Sequence, residues 1–222
     1  MSKTGTFKSS IGRKLAMALS ALFLMIFLLQ HLTINVTAMF SPETFNDLSH
    51  FMGTNPVVQF VAQPILIFAV VFHFVMGFVL EAQNMRARPI SYKRNNGGAN
   101  SSWMSRNMIY SGLVILAFLV LHFIDFWLPE MNYKYIQMNP EDPTRYYEEL
   151  LHKFESPIRV GAYILSFVLL ALHLLHGFGS AFQSMGQNNK YIDGLKKFGV
   201  IYSILIPLGF IITAVVLYMN AH

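Results

Sequence analysis

Residues 111–122 read SGLVILAFLVLH, an uncharged run that closes on His122. Working outward, the apolar character extends from Met104 to Leu128, long enough for the roughly 20 residues a membrane-spanning helix needs. Four more stretches have the same character: 14–39, 57–82, 157–182 and 198–218. With 54% hydrophobic and 12% charged residues over 222 positions, the chain reads as all-α and polytopic, one five-helix transmembrane domain over residues 1–222. Pro64 and Pro207 fall inside spans, where neighbouring helices can satisfy the carbonyls a proline frees.

The net charge of +5 follows the membrane and not a nucleic-acid-binding patch, so no nucleic-acid partner is expected. Lys3, Lys8, Arg13 and Lys14 precede the first span, Arg86, Arg88, Lys93, Arg94 and Arg106 lie between the second and third, and Lys190, Lys196 and Lys197 lie between the fourth and fifth. The opposite side carries most of the acids. The positive-inside rule then predicts a cytoplasmic N-terminus and an outside C-terminus, which suits an odd number of spans. Gln30 and His31 interrupt the first apolar run, so it is read as a span and not as a cleaved signal. There is no cysteine. That excludes disulfides, thiolate-held iron–sulfur clusters and covalent c-type haem on this chain.

Each of the first four spans carries a histidine: His31, His73, His122 and His173. The first and third spans run outward, and His31 and His122 come about 16 residues after their starts, roughly 24 Å from the inner surface. The second and fourth run inward and place His73 and His173 in the inner half. Ionisable residues inside spans are rare and usually functional. Matched in depth two by two, these four are candidate axial ligands of two haems b, His31 with His122 outside and His73 with His173 inside, their irons roughly 16 Å apart. The fifth span has no histidine and is expected only to pack.

The second and fourth spans share His-x-x-x-Gly, at His73/Gly77 and His173/Gly177. The glycine removes a side chain one turn from the histidine, where a flat group or another backbone approaches. That match favours His173 over His176 as the fourth ligand and leaves His176 as a possible propionate contact. Asp125, one turn after His122, is expected to snorkel to the interface. Ser41-Pro42, Asn95–Gly98 and the Asn139–Pro143 stretch read as turns. The acidic segment 132–155 is expected to hold a short helix over 143–154 that caps the outer face. A haem-free histidine relay for proton transport, and the dihaem cytochrome of a different membrane oxidoreductase, are the competing readings.

The elements FLLQHLTIN from Phe27, FNDLSHFM from Phe45, FHFVMGF from Phe72, SGLVILAFLVLH from Ser111 and LHLLHGF from Leu172 together resemble the single-chain dihaem cytochrome b558 anchors of bacterial succinate dehydrogenase and fumarate reductase. The similarity runs from about Arg13 to Tyr218. It implies the same ligand pairs, with the His73–His173 haem nearer the cytoplasm. It also implies a flavoprotein partner with FAD, an iron–sulfur partner, and a membrane quinone, menaquinone or ubiquinone, reacting near the outer haem. Asn35, Glu43 and His50 are then candidates for the quinone oxygens. Arg13, Lys14, Arg86, Arg88, Lys93 and Arg94 become candidates for receiving the partner subunits.

Overall fold

The computed structural model describes residues 9–86, 107–186 and 192–222. Five helices in it are long and apolar enough to cross a bilayer, and the chain is a multi-pass membrane protein. In chain order the helices are α1 (Ser10–Thr37), α2 (Pro42–Thr54), α3 (Val58–Arg86), α4 (Met108–Ile136), α5 (Arg145–Phe154), α6 (Pro157–Ser184) and α7 (Ile192–Asn220). α1, α4 and α7 run from the N-terminal face to the far face, and α3 and α6 run back. The short α2 and α5 lie on the far face.

Local chemistry sets the helix starts. The Ser9 hydroxyl accepts from Gly12 N at 3.0 Å, and Ser41 and Ser156 do the same for Thr44 N at 3.1 Å and Arg159 N at 3.4 Å. In the last two a proline follows the cap at the first helical position, where its missing N–H costs nothing. Ser41-Pro42 is therefore a helix start as well as a turn, and the expected loop after the first span is helix α2. α6 stops at Gly186, whose φ of +74° is the left-handed conformation that ends a helix.

Two wide i→i+5 turns, Val58–Ala62 in α3 and Phe123–Trp127 in α4, stand just before Pro64 and Pro129. A proline ring collides with the carbonyl four residues back, and a widened turn moves that carbonyl away. The third span accordingly continues through Pro129 to Ile136 and does not stop at Leu128. Residues 104–106 of that expected span, the 95–98 turn, and Lys3, Lys8, Arg88, Lys93, Arg94, Arg106 and Lys190 lie outside the described residues.

α7 is the packing helix. Gly199, Tyr202, Ser203, Ile206, Pro207, Phe210, Thr213, Ala214 and Leu217 are buried at helical spacing, against α6 and α1. A Cβ on Gly199 would stand 2.3 Å from the Phe178 ring and one on Gly209 would stand 2.8 Å from Leu32. Gly199→Leu should therefore force α6 and α7 apart, with a loss of about 1–3 kcal/mol typical of overpacking. The expected result is a lower unfolding temperature in detergent; an unchanged one would mean that Phe178 moves aside freely. α3 and α4 contrast with α7: among the described residues, Ala69 is the one buried side chain of α3 and Asp125 the one of α4.

Candidate functional site

The interior of the four-helix group formed by α1, α3, α4 and α6 contains two pairs of facing imidazoles. The His31 and His122 rings lie 5.7 Å apart, centroid to centroid, at 87° to one another, and the His73 and His173 rings lie 6.4 Å apart at 68°. Among the described residues it is His173 and not His176 whose ring meets His73. His176 is half-buried on the same helix.

The two pairs have different surroundings. His31 stacks on Phe27 at 5.4 Å and also meets Phe210 at 5.7 Å. His122 is enclosed by Phe118, Phe126 and Tyr163 at 5.9, 5.1 and 6.4 Å, and its Nδ1 is buried without a partner. In the other pair each Nδ1 has a hydroxyl: Ser20 Oγ lies 3.1 Å from His73 Nδ1, and Ser111 Oγ lies 3.2 Å from His173 Nδ1. Ser20 sits eleven residues before His31 on α1, and Ser111 eleven before His122 on α4. At 1.5 Å per residue the pairs are separated by roughly 16 Å along the bundle.

This donor set suits a metal that brings most of its own ligands. Among the described residues no group of three or more His, Asp or Glu converges as a bare ion would need. Two imidazoles on opposite sides of one metal, with bonds of about 2 Å, put their ring centroids roughly 6–6.5 Å apart. The observed 5.7 and 6.4 Å fall at or close to that spacing. Each pair could thus hold the iron of one haem, with the macrocycle supplying the remaining ligands.

The two serines escape a reading that follows histidines alone, although a signal for them exists. Met17, Ser20, Leu22, Phe27, Leu28 and His31 in α1 recur, at a constant offset of 91 residues, as Met108, Ser111, Leu113, Phe118, Leu119 and His122 in α4. His73, Gly77, Phe78, Gln83 and Met85 in α3 recur at an offset of 100 as His173, Gly177, Phe178, Gln183 and Met185 in and just after α6. The echo between the second and fourth spans is thus one half of a tandem two-span repeat. The repeat extends to contacts: a Cβ on Gly77 would be 3.7 Å from the Met17 methyl, and one on Gly177 would be 3.7 Å from the Met108 methyl.

Asp125 departs from expectation. It is 2% exposed, accepts from the Tyr163 hydroxyl at 2.9 Å and pairs with Arg159 Nε at 3.3 Å. The reason is the neighbouring α6, which supplies both partners and so removes the need to reach the interface.

The candidates for a quinone do not converge. Asn35 donates to its own helix at His31 O, 2.8 Å away. Glu43 is exposed in the first turn of α2, where a carboxylate stabilises the helix start. His50 stands 3.9 Å from Glu141 and 6.2 Å from the Tyr146 ring, with Nδ1 buried and unpartnered.

Beside His50 the far face is tied by an ionic network. Glu130 binds Arg145 and, at 2.5 Å, Lys134; Arg145 also binds Glu149 at 2.7 Å and lies 4.0 and 4.4 Å over the Tyr133 and Tyr146 rings. Burial alone would lower the Arg145 pKa, but the hydrogen bonds to Glu130 and Glu149 overcome it and raise the pKa above its ordinary value. Lys134 and Gln59 both donate to Gly53 O. Asn46 of α2 accepts from Tyr147 N at 2.7 Å and donates to Thr144 O at 2.9 Å, so α2 caps the start of α5. The expected helix over 143–154 is α5, Arg145–Phe154, and it does lie across this face.

Comparison with known proteins adds one distant similarity. The chain is 26% identical, over 169 residues that make up 76% of each protein, to the succinate dehydrogenase cytochrome b558 subunit of Bacillus subtilis (strain 168). No family model and no solved structure matches it.

Proposed function

We propose that the chain is the membrane anchor of a succinate dehydrogenase or fumarate reductase, a cytochrome b subunit that carries electrons between an iron–sulfur subunit and a membrane quinone. The observation behind this reading is the pairing of four intramembrane imidazoles at two depths, at spacings suited to axial ligation. The distant similarity to a cytochrome b558 subunit supports it independently. His31 with His122, and His73 with His173, would each hold one haem b, which when bound supplies a one-electron ferric–ferrous couple.

The residues of the chain supply the rest. The imidazoles fix position and orientation, the aromatic shell of Phe27, Phe118, Phe126 and Phe210 keeps water from the far-face pair, and Gly77 and Gly177, one turn from their histidines, each face a methionine methyl. The N-terminal face would be cytoplasmic and receive the iron–sulfur and flavoprotein partners, the latter with FAD and the dicarboxylate site. Arg13, Lys14 and Arg86 stand at that face among the described residues. A quinone would react at the far face, where His50, Asn35 and Glu43 are candidates; His176 is the candidate propionate contact of the inner haem.

The test is a dithionite-reduced minus oxidised spectrum of the purified chain, with haem quantified per polypeptide and co-purifying subunits identified. Two b-type haems per chain, together with a flavoprotein and an iron–sulfur protein, are the expected result. A folded chain without haem would overturn the reading.

A further inference from the structure

We propose that Ser20 and Ser111 are equivalent positioning residues that present the Nε2 lone pairs of His73 and His173 to a single metal, and that they set the redox potential of the inner haem alone. The inference rests on the haem reading above and goes beyond it.

The argument starts from the direction of two hydrogen bonds. Ser20 Oγ donates to Met17 O at 2.8 Å, and Ser111 Oγ donates to Met108 O at 2.8 Å. A hydroxyl has one proton, so each oxygen is left as an acceptor toward the imidazole beside it. His73 and His173 must then carry their proton on Nδ1 and donate it to the serine. Nε2 is left unprotonated, the form that binds a metal. Both histidines donate to a serine on a helix other than their own, and both serines occupy the same position of the two-span repeat. At the other level Phe27 and Phe118 pack on His31 and His122, and His122 Nδ1 has no partner at all.

An Nδ1–H that donates makes the imidazole a stronger electron donor, which favours the ferric state and lowers the potential. Losing the acceptor therefore raises it. The experiment is a spectroscopic redox titration of the haem-loaded chain with Ser20→Thr, Ser20→Val, Ser111→Thr and Ser111→Val. Thr and Val have the same shape, and only Thr keeps the oxygen. Each valine variant should increase the ferrous-to-ferric ratio of one haem about tenfold at fixed potential, equal to about 59 mV for a one-electron couple. The threonine variants should match the wild type, and the affected haem should be the one lost in His73→Ala. Equal potentials for Val and Thr, or equal shifts in both haems, would overturn the inference while leaving the haem reading intact. A wild-type chain that binds no haem would overturn both.

Discussion

On the proposed haem reading, His73→Ala or His173→Ala should remove one of two b-type haem signals and leave the other, and His31→Ala or His122→Ala should remove the complementary one. The expected loss is large because an axial position has no substitute within reach. His173 is the ring that meets His73 across the bundle. His176, three residues away on the same helix, has no ring contact with His73 among the described residues. The four single variants should thus fall into two spectral classes, and His176→Ala should retain both signals. Haem counted per polypeptide checks this directly. If His173→Ala kept both haems and His176→Ala lost one, the axial assignment would move to His176. If any single substitution abolished both haems, the two sites would form one cooperative unit.

Arg159→Leu should destabilise the protein far more than Asp125→Asn/Arg159→Leu does. Asp125 is 2% exposed, and its carboxylate is held by Arg159 and by Tyr163 from the adjoining helix. Removing the cation leaves a charge buried with one neutral donor, which costs about 3 kcal/mol, the low end of the usual range because the Arg159 side chain is 34% exposed. Replacing the carboxylate by an amide in the same background removes the charge and should recover most of that loss. Thermal unfolding in detergent across the four members of the double-mutant cycle measures the coupling. Additive effects would mean that the pair contributes nothing beyond its separate contacts.

Much of this arrangement is legible from the sequence, and the parts that are not share a cause. Spans announce themselves by length and apolarity, and alternating direction turns a position in the chain into a depth. That is why the meeting of His31 with His122, and of His73 with His173, can be anticipated from residue numbers. The fifth span could likewise be read as packing, since it carries no histidine.

The misread features depend on partners distant in the chain. Asp125 looks like a residue that reaches for water until Arg159 and Tyr163 are placed beside it. Pro129, Glu130 and Lys134 look like the end of a span. They stay helical because a widened turn accommodates the proline and Arg145 folds back onto Glu130. α2 differs in that its start is signalled locally by the Ser41 cap and Pro42, whereas its place on the far face depends on Asn46, bonded to residues about 100 positions later. The serines were within reach of sequence alone, but only through the 91-residue offset, which a search confined to histidines does not test.

The uneven packing of the bundle bears on how it is put together. α7 carries the most extensive buried face, whereas α3 and α4 bury one described side chain each. α7 also leaves the ribosome after all four histidine-bearing helices. The brace on α1 and α6 is therefore added last, to helices already in the bilayer. Until it packs, Phe178 lacks the seat at Gly199, Leu32 the one at Gly209, and the His31 ring its contact with Phe210.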